Sequence, residues 1–199
     1  MSLSEMLLEQ SYVYRLWQAP FAEQKFAPII AHNDLSRFRN VLDVGCGPGT
    51  NSKHFAQTQY LGIDVNPSYI AAARRRYGLK FQAIDARTYR PADQRFDFVL
   101  INSFLHHLND RDVVELLDHV KTLLTEDGCV HILEPEMPAS GSLAYLLAKA
   151  DRGKFVRALK DWKSIFAASF QPLLLETYPL RAGPVTLWKM LYFKGARVS

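Results

Sequence analysis

Ten residues constrain this chain more than any others: Val41-Leu42-Asp43-Val44-Gly45-Cys46-Gly47-Pro48-Gly49-Thr50, an apolar strand running straight into a loop with three glycines in five positions. Such a loop turns sharply and brings backbone N–H groups close to a ligand, because no Cβ stands between them. The dinucleotide fingerprint spaces its glycines as G-x-G-x-x-G, and its third glycine packs helix against strand beside a pyrophosphate. Here the third glycine, Gly49, comes one residue early. Asp43 also lies inside the strand, two positions before Gly45, where a carboxylate repels a pyrophosphate and attracts an ammonium group. Loop and acid together point to a ligand with a cationic amino-acid end.

Three further strand ends follow in order. Leu61-Gly62-Ile63 leads to Asp64, Phe81-Gln82-Ala83-Ile84 to Asp85 and Ala86, and the apolar run Phe96 to Ile101 to Asn102-Ser103-Phe104-Leu105-His106-His107-Leu108. In order and spacing these segments, from about residue 38 to 135, resemble the class I S-adenosylmethionine-dependent methyltransferases of the small-molecule branch. The resemblance implies an α/β fold: a Rossmann-like seven-stranded, mostly parallel sheet with an antiparallel last strand and helices on both faces. It also implies S-adenosyl-L-methionine as cofactor, cradled by Asp43, Gly45, Cys46, Gly47, Gly49 and Asn51. Asp64, with its neighbour Val65, would receive the ribose hydroxyls. Asp85 would accept a hydrogen bond from the adenine amino group and Ala86 would offer its N–H; the other reading of Asp85 is a turn or cap residue. Asn102 and Ser103 would face cofactor and acceptor, since ligands of open parallel sheets bind off the carboxyl ends of the strands.

At 199 residues, 48% hydrophobic and 22% charged, the chain suits one α/β domain with a modest appendage. No apolar run is long enough for a membrane span and the first residues lack the build of a signal peptide, so a cytoplasmic protein is expected. The two cysteines, Cys46 and Cys129, suggest no disulfide scaffold, and no metal-ligand spacing is present. Cys46 reads as a small residue beside a ligand rather than a nucleophile. The net charge of +4 is uneven: residues 1–140 carry 14 basic and 17 acidic groups, residues 141–199 carry 10 and 3. The basic tail suits an anionic or membrane-associated acceptor, or a solvated helix face.

Residues 1–37 read as an N-terminal helical segment, broken near Ala19-Pro20, whose rings Tyr12, Tyr14 and Trp17 either close over the site as a lid or pack on the sheet edge. Residues 38–135 are the cofactor-binding core. Asn51 to Gln57 are expected to begin its first crossover helix, with the N-terminus aimed at the ligand and a dipole that attracts a carboxylate. A second helix is expected from Asn66-Pro67-Ser68 to Arg76, with Arg74-Arg75-Arg76 splayed and solvated. A third is expected from Asp110 to Leu124, behind a reciprocal Asn109/Asp112 cap. Glu126-Asp127-Gly128 reads as a turn before a strand over Cys129 to Leu133. Residues 136–170 form a variable helical insert shaping the acceptor site, with an apolar stripe of Phe155, Leu159, Trp162 and Phe166. Residues 171–199 supply a terminal hairpin.

Methyl transfer from a sulfonium is an in-line displacement that depends mainly on alignment, worth up to roughly 7–11 kcal/mol. A hydroxyl or amine acceptor gains further from a base, and His106 and His107 are the candidates, with His106 ahead. Glu134 and Glu136 are weaker alternatives. A small-molecule acceptor is favoured, such as a quinone precursor, sugar or lipid-like alcohol. Two other readings stay open: a methyltransferase-like binding or regulatory subunit that does not turn over, and an RNA or protein methyltransferase. Against nucleic acid stand the absent N/D-P-P-Y/F tetrapeptide after the fourth strand and the lack of a continuous basic groove.

Overall fold

The computed structural model describes residues 21–150 and 154–197. Seven strands form a single sheet: β1 (Asn40–Val44), β2 (Gln59–Asp64), β3 (Lys80–Ala83), β4 (Phe96–Asn102), β5 (Leu124–Pro135), β6 (Phe170–Ala182) and β7 (Val185–Arg197). Their spatial order is β3-β2-β1-β4-β5-β7-β6. Pairing is parallel from β3 through β5, and β7 runs antiparallel to both its neighbours. The order reverses between β1 and β4, which opens a crevice at their carboxyl ends.

Five α-helices accompany the sheet among the described residues: α1 (Ala22–His32), α2 (Pro67–Tyr77), α3 (Asp110–Leu123), α4 (Leu143–Ala150) and α5 (Leu159–Ser169). Successive strand residues point to opposite faces, so each central strand serves two cores. Leu42, Val44, Val99 and Ile101 pack with Leu116, Val120, Trp162 and Phe166 under α3 and α5. Val41, Phe98 and Leu100 pack instead with Phe26 and Ile29 of α1 and Ile70 and Ala73 of α2. Burial on both faces explains why β1 and β4 read as continuous apolar runs.

The helix starts follow their sequence signals. Asn66 Oδ1 accepts from Ser68 N–H at 2.9 Å, and Asn109 and Asp112 exchange side-chain and backbone bonds at 3.0 and 3.1 Å. Three expectations need correction. Thr50–Phe55 is a 3₁₀ helix rather than an α-helix. Its small polar residues bond their own backbone instead, as in Ser52 Oγ to Gly49 O at 2.7 Å. A helix of six residues is short, and its dipole is correspondingly small. Next, Glu126-Asp127-Gly128 lies within β5, where pairing jumps from Phe96↔Leu124 to Phe98↔Cys129, so the turn is a bulge in one long strand. Finally, Phe155 lies outside the α5 stripe. The chain near Arg157 is extended, bridging Glu136, and the helix begins at Leu159. The aromatic residues Tyr12, Tyr14 and Trp17 lie outside the described residues.

Candidate active site

The glycine loop leaves β1 at the centre of the crevice. Gly45, Gly47 and Gly49 have φ of 68°, 53° and 79°, in the left-handed region that L side chains avoid. A Cβ on Gly45 would also stand 2.7 Å from the Phe104 ring, whereas Gly47 faces open space. Behind the loop, Asp64 at the end of β2 accepts from Gly47 N–H at 2.9 Å and from Asn66 N–H at 2.8 Å. The second strand end thus holds the loop in place.

A cavity of 370 Å³ lies in front of this loop, lined among others by Lys25 of α1, Gly45, Gly47, Asn51, Asn102 and Ser103. Its wall carries a chain of polar contacts. Lys25 Nζ donates to Ser103 Oγ at 3.2 Å, Ser103 Oγ to Asn102 Oδ1 at 3.1 Å, and Asn102 Nδ2 to Asn51 Oδ1 at 3.3 Å. Ser103 has φ of 54°, the only positive value at a non-glycine among the described residues. Strained backbone of this kind persists where its surroundings over-determine it.

Asp43 lies beneath the loop, fully buried, on the face of β1 toward α1 and α2. Tyr60 donates to its Oδ2 at 2.8 Å, while Oδ1 has no partner of good hydrogen-bond geometry among the described residues. Burial pushes this carboxyl up to about 7, against the opposing pull of Tyr60 and Asn51. Asp43 therefore acts on the cavity through the loop rather than from its wall. Burial likewise pushes the neighbouring Cys46 thiol far up, so it is no nucleophile.

The second part of the site is the turn after β4, Leu105–His107, held from both sides. On its N–H side the fully buried Glu134, from β5, accepts from Phe104 N–H at 2.8 Å and Leu105 N–H at 2.6 Å. Glu134 Oε2 also lies 2.6 Å from His106 Nδ1. On the carbonyl side Arg157 donates to Leu108 O at 2.7 Å, and its Nε bonds Asp110 Oδ1 at 2.7 Å. Its guanidinium lies 4.7 Å from the Trp162 ring centroid. His106 is buried, whereas His107 is exposed with its ring 4.2 Å from that of His106. Neither histidine is among the described residues lining the cavity.

The remaining expected residues sit elsewhere. Val65 is 65% exposed. Asp85 is engaged by Arg87 at 2.7 Å and caps its own turn through Arg87 N–H, and the Arg87 contact holds its carboxyl low. Ala86 is buried beside it. Arg74 is not simply solvated, since its Nε donates to Phe81 O at 3.0 Å, and Arg76 reaches the cavity wall. Sequence reasoning passed over Lys25 and Arg157. Lys25 carried a signal: it falls on the buried stripe of α1 with Pro28 and Ile29, at three- and four-residue spacing.

Comparison with known proteins points the same way as the geometry. A family model described as a methyltransferase domain matches residues 41–128, the glycine loop through the bulge of β5. Over those residues the chain is similar to a methyltransferase domain. It is 26% identical over 178 residues to a trans-aconitate 2-methyltransferase of Methylobacterium radiotolerans, covering 83% of this chain and 66% of that protein. An Escherichia coli protein of the same name is 29% identical over 148 residues, covering 67% and 58%. The chain thus spans about three-fifths of the length of these relatives. Among solved structures, the N-methyltransferase NodS of Bradyrhizobium japonicum WM9 superposes with a TM-score of 0.71 at 17% identity, covering 90% of this chain and 98% of that one. Magnesium protoporphyrin IX methyltransferase of Synechocystis, with bound S-adenosylhomocysteine, gives 0.66 at 17% identity, covering 88% and 81%. These two likenesses show that the fold is shared.

Proposed function

We propose that this chain transfers a methyl group from S-adenosylmethionine to a small-molecule acceptor. The observation that carries the reading is the open glycine loop facing a cavity, with the Asp43 carboxylate buried behind it. Those residues fit a cofactor with a cationic amino-acid end, because ionised Asp43 would stabilise that charge through the loop. When bound, the cofactor supplies an activated methyl group on a sulfonium. Gly45 and Gly47 let its chain lie against the backbone. Asp64, already holding Gly47 N–H, has lone pairs left for ribose hydroxyls. Asn102 and Ser103 border the reacting end, and the segment 136–170 shapes the acceptor side.

His106 is the residue we assign to take a proton from the acceptor. The Glu134 contact fixes Nδ1 as the protonated ring nitrogen, so the lone pair belongs to Nε2. The same contact ranks His106 above the exposed His107. Glu134, fully engaged with the turn, orders it and is not itself a base. Free Cys46 and Cys129 suit a reducing compartment, and the cytoplasm is the expected setting.

Calorimetric titration with S-adenosylmethionine and S-adenosylhomocysteine tests the reading. Saturable binding is expected in the wild type and at least a tenfold loss in Asp64→Ala. No heat and no thermal shift with either ligand would overturn it. An acceptor screen read by mass spectrometry follows, starting with trans-aconitate, the compound in the relatives' names.

A further inference from the structure

We infer that Glu136 is a specificity-determining residue for the methyl acceptor, and that the acceptor offers it an ammonium or hydroxyl hydrogen-bond donor. The inference rests on the methyltransferase reading and names its substrate class. Glu136 is 6% exposed, and its N–H donates to Lys189 O at 2.8 Å, so it extends the β5–β7 ladder by one residue. Side chains two apart on a strand share a face, which puts Glu136 one step beyond Glu134, the carboxylate that holds His106. The chain before α5 ties the two places together. Phe155 N–H donates to His106 O at 3.0 Å, and Met137 N–H donates to Arg157 O at 2.9 Å beside the Glu136↔Arg157 bridge. Glu136 and His106 thus lie near one another at the carboxyl end of β5, where ligands of open parallel sheets bind. Glu136 is just beneath the surface, since its neighbours Lys189, Met137 and Phe155 all reach solvent.

The two oxygens of this carboxylate differ. Oε1 pairs across the ladder with Lys189 Nζ at 3.0 Å. Oε2 is buried and has no hydrogen-bond partner among the described residues. A buried carboxylate oxygen without a donor is costly, and native folds ordinarily supply one. Glu134 shows the contrast, because both of its oxygens are engaged by the turn after β4. A donor on the methyl acceptor satisfies Oε2 through a charge-assisted hydrogen bond. The same oxygen repels a carboxylate, so a tricarboxylate such as trans-aconitate fits poorly at this point. The exposed Phe155 ring, on the residue bonded to His106 O, offers an apolar surface nearby.

Calorimetry on wild type, Glu136→Leu and Glu136→Gln, each saturated with S-adenosylhomocysteine, tests this with 2-phenylethylamine, 2-phenylethanol and 3-phenylpropanoate. These probes share a phenylethyl body and end in an ammonium, a hydroxyl and a carboxylate. Wild type is expected to bind the amine or the alcohol and to reject the carboxylate. Glu136→Leu should weaken the bound probe by about tenfold or more and leave S-adenosylhomocysteine within about twofold. Glu136→Gln keeps an accepting oxygen, so it should retain the alcohol better than the amine, and it carries the test should the leucine variant fail to fold. Preference for the carboxylate, equal binding by wild type and variants, or binding of no probe overturns the assignment. So does methylation of trans-aconitate with an unchanged KM in Glu136→Leu. A wild type that does not bind S-adenosylhomocysteine overturns the methyltransferase reading instead, and the same probes titrated without it then decide Glu136.

Discussion

Glu134 Oε2 and His106 Nδ1 stand 2.6 Å apart, both side chains buried, although 28 residues separate them in the chain. The same carboxylate receives Phe104 and Leu105 N–H, so one side chain orients the imidazole and also fixes the turn that carries it. Glu134→Gln should cost about 1–3 kcal/mol in urea unfolding, the usual penalty for leaving buried donors under-satisfied. Turnover should fall with little change in KM for the acceptor. His106→Ala should lower kcat by about a hundred- to ten-thousand-fold if the ring takes a proton in the rate-limiting step. Unchanged kcat in both variants would leave positioning as the source of catalysis.

Arg157 holds the carbonyl side of that turn and joins it to the segment preceding α5. Arg157→Met should destabilise the fold by about 1–3 kcal/mol, because the Leu108 carbonyl and Asp110 both lose a charged donor. Arg157→Lys should recover less than half of the loss, since one ammonium does not reproduce the planar fork or its stacking on Trp162. Denaturant midpoints of the three proteins check this.

Gly45→Ala combines a positive φ with a Cβ 2.7 Å from the Phe104 ring. The backbone strain alone is of order 1–3 kcal/mol. The variant should melt earlier and bind S-adenosylhomocysteine at least tenfold more weakly. Gly47→Ala meets the same backbone strain without the clash and should be the milder of the two in thermal melting.

Asp43 makes stability and binding depend on pH in opposite senses. Its carboxyl is raised from 3.8 to about 7, chiefly by burial. The folded state therefore keeps a proton that the unfolded chain releases, and stability falls as pH rises from about 4 to 7, by up to about 4 kcal/mol. Asp43→Asn should remove this slope from the unfolding free energy over that window. Binding of the cationic cofactor should tighten as pH rises through 7 and Asp43 ionises, and the asparagine variant should show a flat profile in calorimetry.

Patterns within single segments were legible in the sequence alone. The strand into Gly45-Cys46-Gly47-Pro48-Gly49, the acids at the ends of β2 and β3, the Asn66 and Asn109 caps and the α3 stripe all depend on neighbours within a few residues, where backbone sterics and hydrophobic period act directly. The seven-strand architecture followed from their order. What only the tertiary structure decided is which polar groups meet. Glu134 meets the turn across 28 residues, Arg157 meets Asp110 across 47, and Lys25 meets Ser103 across 78. None of these pairings has a local signature, because the energy that selects them is the cost of burying each polar group without a partner, and burial is set by the whole fold.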